Sequence, residues 1–248
     1  MTSNATPNRA PIGALRMSTI AVAGVIVAVG VPAVAAAIAL STQVSDQQAL
    51  VKIDAAGPIS RIVIADSDSD VRITGDAAAN GVTGQAVVQW KGEDGKRPAL
   101  RQSVSGGVLT LIKDCSGGGC GPIDIMVSVP RDVSVQATTS DGNIALSGVT
   151  GQVDLTSSAG SIDADGLGSA NASFHTTNGT IDAAFTGAPA RIVAETTNAS
   201  VAIGTDGRTA YYDAVHTTDG VESLTNAQDR TSPDEIDATT TNGDVTIS

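Results

Sequence analysis

The two histidines of this chain, His175 and His216, occupy the same position relative to a repeated turn, and Glu195 occupies it in the copy between them. Imidazole and carboxylate groups are potential metal ligands, and histidine titrates near neutral pH. If consecutive copies form adjacent β-strands, the two histidines stand about 9.6 Å apart, which is twice the strand spacing. A single metal ion, bound at about 2 Å from each imidazole, spans that distance with difficulty. The pattern favours a solvent-exposed row of side chains, and the alternative is a weak metal site or a pH-responsive patch.

Three aspartates alternate in the sequence DSDSD, at Asp66, Asp68 and Asp70. Carboxylates bind calcium, but the glycine and the terminal glutamate of an EF-hand loop are not at the required positions. Alternation sends all three carboxylates to one side of a strand or corner. The sequence therefore favours adventitious calcium binding, and a structural calcium site is the less favoured alternative.

The only two cysteines, Cys115 and Cys120, lie in the sequence KDCSGGGCGP. A lone pair of thiolates is a weak zinc signal, because structural zinc sites usually need four ligands. Disulfides are allowed outside the cell, and the intervening glycines make a small ring easy to close. The pattern predicts a disulfide that pins a loop.

Enzyme signatures are weak in this sequence. There is no G-x-S-x-G nucleophile elbow and no glycine-rich phosphate loop with a lysine. After Arg131 the only basic residues are Arg191, Arg208 and Arg230. We therefore expect no catalysis and no cofactor. The alternative from another class is a hydrolase or lyase acting on envelope polysaccharide through paired carboxylates, since acidic residues are plentiful.

The charge distribution argues against a nucleic-acid partner. The formal net charge is −12, and Arg9 and Arg16 are the only charged residues before Asp46. The remainder carries 12 basic and 26 acidic residues, a balance of −14. Such a surface repels phosphate backbones, and aromatic residues for base stacking make up only 2% of the chain.

An uncharged, apolar segment near the amino terminus predicts a membrane helix at residues 17–40. Arg9 and Arg16 precede it, so the positive-inside rule places residues 1–16 as a short cytoplasmic tail and the rest outside the cytoplasm. Residues 41–50 are expected to form a polar stalk. Cleavage near the small residues Ala35–Ala37 is the alternative, and it would yield a secreted protein.

A strand–corner–strand repeat explains the abundance of small polar residues. Turn positions fall at Gly142, Gly160, Gly179, Ala199, Gly220 and Gly243, at spacings of 18, 19, 20, 21 and 23 residues, and an earlier copy has Ser69 there. Aliphatic residues alternate on both sides of each turn, the period of a β-strand. Stacked copies would bury these positions in continuous ladders, and the glycines are expected to supply a left-handed or open backbone at the corner. Stacked Asn and Thr side chains can bond along the same axis.

The repeat predicts an all-β domain at residues 51–248, a single-stranded parallel β-helix or solenoid, with a mixed β-sandwich as the alternative. Three further strands, in GQAVVQW, LRQSVSGGVLTLIKD and PIDIMVSVP, would cap the solenoid or form its first coils. The Gly220 copy carries Asp213 and Glu222 at inward positions, so we expect an irregular excursion there. Asp244–Ser248 is expected to be an exposed end strand through which copies self-associate.

With these residues in view, the chain resembles the bacterial putative-adhesin domain family of β-strand repeats. The resemblance rests on the membrane segment, on ISRIVIADSDSDVRITG, on IDIMVSVPRDVSVQATTSDGNIALSGVTG and on the TTNG corners. It implies a β-solenoid at the cell surface and transfers no functional residue. We expect a membrane-anchored structural or interaction module that contacts an envelope polymer or protein.

Overall fold

The computed structural model describes residues 46–92, 97–118 and 120–248. In this part of the chain every regular element is a β-strand, and none is a helix long and apolar enough to cross a membrane. The predicted cytoplasmic tail and membrane helix, 1–16 and 17–40, lie outside the described residues. The predicted stalk is corrected in part, because strand β1 already begins at Asp46.

The strands form two sheets. The first has ten strands, in spatial order β1 (Asp46–Ala56), β4 (Gly81–Lys91), β7 (Ile123–Pro130), β3 (Val71–Asp76), β9 (Ile144–Ser147), β11 (Ile162–Leu167), β13 (Ile181–Phe185), β15 (Val201–Gly204), β19 (Val245–Ile247) and β17 (Glu222–Leu224). The second has nine, in the order β16 (Tyr212–Thr217), β18 (Glu235–Thr240), β14 (Arg191–Glu195), β12 (Asn171–His175), β10 (Val153–Thr156), β8 (Ser134–Thr138), β2 (Arg61–Ala65), β6 (Val108–Asp114) and β5 (Ala99–Ser105).

Each repeat is a coil that gives one strand to each sheet, and the coils stack in parallel. The predicted ladder is confirmed, since Ile162 pairs with Ile144 and with Ile181, and Ile181 pairs with Val201. These side chains are at most 1% exposed and belong to one core between the sheets. The rings of Phe174 and Phe185, one from each sheet, pack edge to face with their centroids 6.5 Å apart. Burial of the alternating aliphatic face is therefore what holds the coils together.

The corner glycines are required for close approach of the coils, and of the two backbone conformations expected from sequence the left-handed one is not found at them. None of the corner glycines is among the glycines with positive φ. A Cβ added to Gly160 would overlap the carbonyl group of Gly142, and one added to Gly179 would overlap that of Gly160. Successive coils thus touch backbone to backbone at this corner.

A buried row of hydroxyl groups lies three residues before the corner. Thr176 Oγ1 donates to the carbonyl oxygen of Gly160 in the adjacent coil at 3.0 Å and accepts from the amide of Gly179 in its own coil at 3.2 Å. The same donation to the adjacent coil is made by Thr139, Ser157, Thr196, Thr217 and Thr240. These bonds satisfy corner carbonyls that would otherwise be buried without a partner.

Asparagine side chains form a second row along the same axis, on the surface. Asn198 donates to Asn178 at 2.7 Å, and Asn242 donates to Asn198 at 2.8 Å. The expectation that stacked Asn and Thr bond between copies is confirmed.

Replacing Thr176 with valine tests the buried row. The substitution keeps the shape of the side chain and leaves the carbonyl of Gly160 and the amide of Gly179 without this partner, which should lower the free energy of unfolding by about 1–3 kcal/mol. Urea denaturation of the full-length chain measures it. The matched control is the exposed neighbour, Thr177→Val, and equal losses in the two variants would contradict the assigned role.

The amino-terminal end departs from the parallel pattern. Strands β6 and β7 do form a coil parallel to β2 and β3, but β1, β4 and β5 pair antiparallel. The segment LRQSVSGGVLTLIKD, taken from sequence as one strand, is a hairpin of β5 and β6. Gly106 and Gly107 turn it with φ of 59° and 78°, values that glycine adopts readily.

At the carboxyl-terminal end the order of the last two copies is inverted. Strands β18 and β19 insert between the preceding coil and β16–β17, so the copy with Gly220 is the outermost. The expectation that Asp244–Ser248 is an exposed edge is therefore wrong, because β19 has a neighbour on each side. The expected excursion falls mainly between β17 and β18, where backbone bonds join Tyr211 to Ala227 and Asp229.

Candidate interaction surfaces

The histidine row is only partly assembled. His175 pairs with Glu195 on the adjacent strand, with Nδ1 and Oε2 3.3 Å apart and both side chains about half exposed. The expectation that His216 lies directly beside Glu195 is wrong, because Thr239 of β18 lies between them. The histidines are thus three strand spacings apart, about 14 Å. Within the described residues no three His, Cys, Asp or Glu side chains are grouped to hold a metal.

The aspartate cluster surrounds a lysine. Lys113 Nζ lies 3.5 Å from Asp66 Oδ1 and 3.1 Å from Asp68 Oδ2, and the Lys113 and Asp66 side chains are only 4% and 0% exposed. Asp70 instead accepts hydrogen bonds from the backbone and side chain of Asn143. The bond from Lys113 holds the pKa of Asp68 below its ordinary value. The ammonium group of Lys113 therefore occupies the position at which the alternating aspartates suggested a calcium ion.

The cysteine loop is the corner between β6 and β7. Cys115 and Cys120 are joined, with sulfur atoms 2.01 Å apart. This corner is longer than the others, and the disulfide closes it. The loop lies at the amino-terminal end of the stack, next to the only tryptophan, Trp90.

A row of side chains crosses the outer face of the ten-stranded sheet, and we call it the Arg72 row. Register places Arg72 between Met126 and Ala145, and then Asp163 and Asp182 follow on the next strands. A shallow groove of about 480 Å³ runs along the first part of the row and includes Val87 of β4. The groove combines an exposed cation with aliphatic surface.

The guanidinium of Arg72 is available to a ligand although carboxylates line the same groove. Asp70 is engaged by Asn143, and Asp124 accepts from the amide of Asp70 and from Gln89. Among the described residues no carboxylate forms an ion pair with Arg72. The Arg72 row can therefore bind a hydroxyl-rich ligand by hydrogen bonds and cover its apolar parts with Met126 and Val87.

Sequence analysis missed the Arg72 row. Alternation in VRITG does place Arg72 on the outer face, so part of the signal was present. Its neighbours come from strands more than 50 and 70 residues later in the chain, and only the strand order brings them together.

A second depression, of about 340 Å³, opens at the carboxyl-terminal end of the stack. Its apolar part is formed by Tyr211, Val215 and Leu224, and Asp213 and Glu222 lie at the inward positions. Burial raises the pKa of Tyr211 to about 12, and it also raises the pKa of Asp213. Asn226 donates to both oxygens of Asp213, at 3.3 and 3.0 Å.

Residues 121–248, just over half of the chain, match the family model described as Toastrack DUF4097. The chain belongs to the Toastrack DUF4097 family. The matched region of this Toastrack chain begins at the strand β7 coil and includes every regular corner from Gly142 onward. The resemblance to bacterial adhesin-like repeats is thereby confirmed. No curated protein matches the chain.

Two solved structures are similar to this chain at low sequence identity. A "putative cell adhesion protein" from Clostridium sporogenes is 10% identical, with a TM-score of 0.52 over 82% of this chain and 99% of the other. A "putative adhesin" from Bacteroides fragilis is 11% identical, with a TM-score of 0.40 over 82% of this chain and 97% of the other. At such identities the first of these similarities shows the all-β fold alone.

Proposed function

We propose that this Toastrack chain is a membrane-anchored, extracytoplasmic interaction module that binds a polymeric envelope ligand without catalysis. The observation that carries the proposal is the Arg72 row, an exposed cation and aliphatic groove on a flat, repetitive sheet face. Many shallow contacts along such a face suit an extended polymer better than a small substrate. The name of the structural neighbour from Clostridium sporogenes, which refers to cell adhesion, agrees with this role.

Anchoring rests on the uncharged segment 17–40 and on the arginines before it. Such a segment would hold the solenoid at the outer surface of the membrane, where the face that carries Arg72 can reach envelope material. Retention of the full-length chain in membranes after a carbonate wash checks this part of the proposal.

Arg72→Ala tests the binding face. The full-length chain, immobilised on resin, is incubated with isolated envelope material, and the retained material is quantified. Loss of a charge-assisted contact costs about 1.5–3 kcal/mol of binding free energy. We therefore expect Arg72→Ala to retain envelope material with an affinity at least roughly tenfold lower than that of the wild type. Arg131→Ala removes the same charge from a turn and serves as the control.

Equal retention by the wild type and Arg72→Ala would exclude the Arg72 row as the binding face. A reducing-sugar assay on the same envelope material separates binding from hydrolysis. Release of reducing ends above the background of the resin would favour the polysaccharide hydrolase or lyase instead.

A further inference from the structure

The carboxyl-terminal coil presents two open strand edges. Among the strands of the described residues, β16 pairs only with β18, and β17 pairs only with β19. Tyr212 donates to the carbonyl of Asp234, so in a parallel ladder the backbone groups of Asp213 and Val215 face away from the sheet. An exposed edge of this kind can accept an added strand.

Both ends of the β16 edge already have hydrogen-bond partners. Residue 211 is covered by the bridge to Gln228, and Glu222 Oε1 accepts from the amide of Thr217 at 3.3 Å. At the centre of β16, the outward backbone groups of residues 213 and 215 have no backbone partner in the part of the chain that the structure describes. A strand added there would extend the nine-stranded sheet and point alternate side chains into the end depression.

The inward positions of this last coil carry two acidic and two aliphatic residues. The aliphatic ladders of the nine-stranded sheet end at Asp213 and Val215, and those of the ten-stranded sheet end at Glu222 and Leu224. Asp213 is partly buried, and burial raises its pKa even though the neutral amide of Asn226 donates to both of its oxygens. The cost of burying its charge is therefore only partly offset. A cation would offset this cost, and its alkyl stem would cover Val215, Leu224 and Tyr211. The same acids disfavour another copy of this end, because like charges would face each other.

We propose that β16 binds an extended polypeptide segment by parallel strand addition, with a lysine or arginine beside Asp213 and an aliphatic residue two positions later beside Val215. The site lies at one end of the stack and does not involve the Arg72 row. It therefore goes beyond the proposed function, and the β16 site and the Arg72 row can be tested and rejected independently.

The probe is an acetylated and amidated peptide of sequence TKTVTVT with a fluorescent label, titrated into the full-length chain while anisotropy is recorded. We expect the dissociation constant to be roughly tenfold lower than for TETVTVT, and binding to weaken as salt is added. The same lysine peptide with N-methylated backbone amides should not bind, because it cannot complete the ladder. Binding of the N-methylated peptide with unchanged affinity would overturn the proposal.

Asp213→Asn with Glu222→Gln should weaken binding of the lysine peptide by roughly tenfold or more. Asp132→Asn with Asp154→Asn changes the net charge equally at other positions and should leave the affinity unchanged. Thermal melting of both variants establishes that they fold. Arg230→Ala removes a cation from the rim of the depression and should strengthen binding. Equal affinities for the two double variants would show that only the overall charge attracts the peptide, and the site would be rejected.

Discussion

Gly160→Ala should lower the free energy of unfolding by about 3 kcal/mol or more. The new methyl group would overlap the carbonyl group of Gly142, which is backbone and can move only if a whole coil moves. The stack would have to open at its centre, where the coils on both sides are most regular. Urea denaturation of the full-length chain measures the loss, and a fall in soluble yield is expected with it.

Gly187→Ala is the matched control for this substitution. Its added Cβ would meet only the Cα of Gly168 at 3.8 Å, an ordinary contact. Since Gly187 is not among the glycines with positive φ, alanine should be neutral or slightly stabilising there. An intermediate case is Gly168→Ala, where the contact is the methyl group of Thr150 at 2.9 Å. If all three variants had the same stability, backbone contact between coils could not be the reason for the corner glycines.

Lys113→Met should cost about 3–5 kcal/mol, because it leaves the buried carboxylate of Asp66 without its cation. Both side chains are almost completely buried, and Asp66 also organises the corner by accepting from the amide of Ser67 at 2.6 Å. The control is Lys52→Ala, which removes an exposed ion pair with Asp54 and should cost at most about 1 kcal/mol. Losses of similar size in Lys113→Met and Lys52→Ala would contradict the buried role.

Two further measurements separate charge from packing at Lys113. Adding Asp66→Asn to Lys113→Met removes the unpaired charge and should restore part of the lost stability. The pKa of Asp68 is lowered in the folded state, so its contribution is present above the ordinary pKa of aspartate, about 3.9, and is lost as the pH falls through the lowered value. The difference between wild type and Lys113→Met should therefore shrink in strong acid.

The core could be predicted from sequence, because alternation fixes which residues face inward and the turn spacing fixes which residues stack. Ile144, Ile162, Ile181 and Val201 lie as expected for that reason. The role of the corner glycines could not be predicted. A glycine in the sequence can serve either a positive φ or a close backbone contact, and the sequence does not distinguish the two.

The candidate sites depended on information that alternation does not contain. His216 and Thr239 occupy equivalent positions in their repeats, so nothing local says which strand lies beside Glu195. Lys113 follows Leu109 and Leu111 at the next inward position of β6, but alternation does not say that Asp66 and Asp68 of an earlier corner lie beside it. Arg72 and Met126 become neighbours through pairing of distant strands.

The inverted order of the last two coils has a consequence for how the chain matures. Residues 211–224 leave the ribosome before residues 235–247, yet their partners in both sheets, β18 and β19, belong to that later segment. The stack therefore cannot be completed in chain order after β15, because residues 211–224 gain their final neighbours only when β18 and β19 are in place. A premature stop between residues 225 and 234 would free this segment to occupy the place of β18 and β19, which would set Asp213 and Glu222 directly against the aliphatic core.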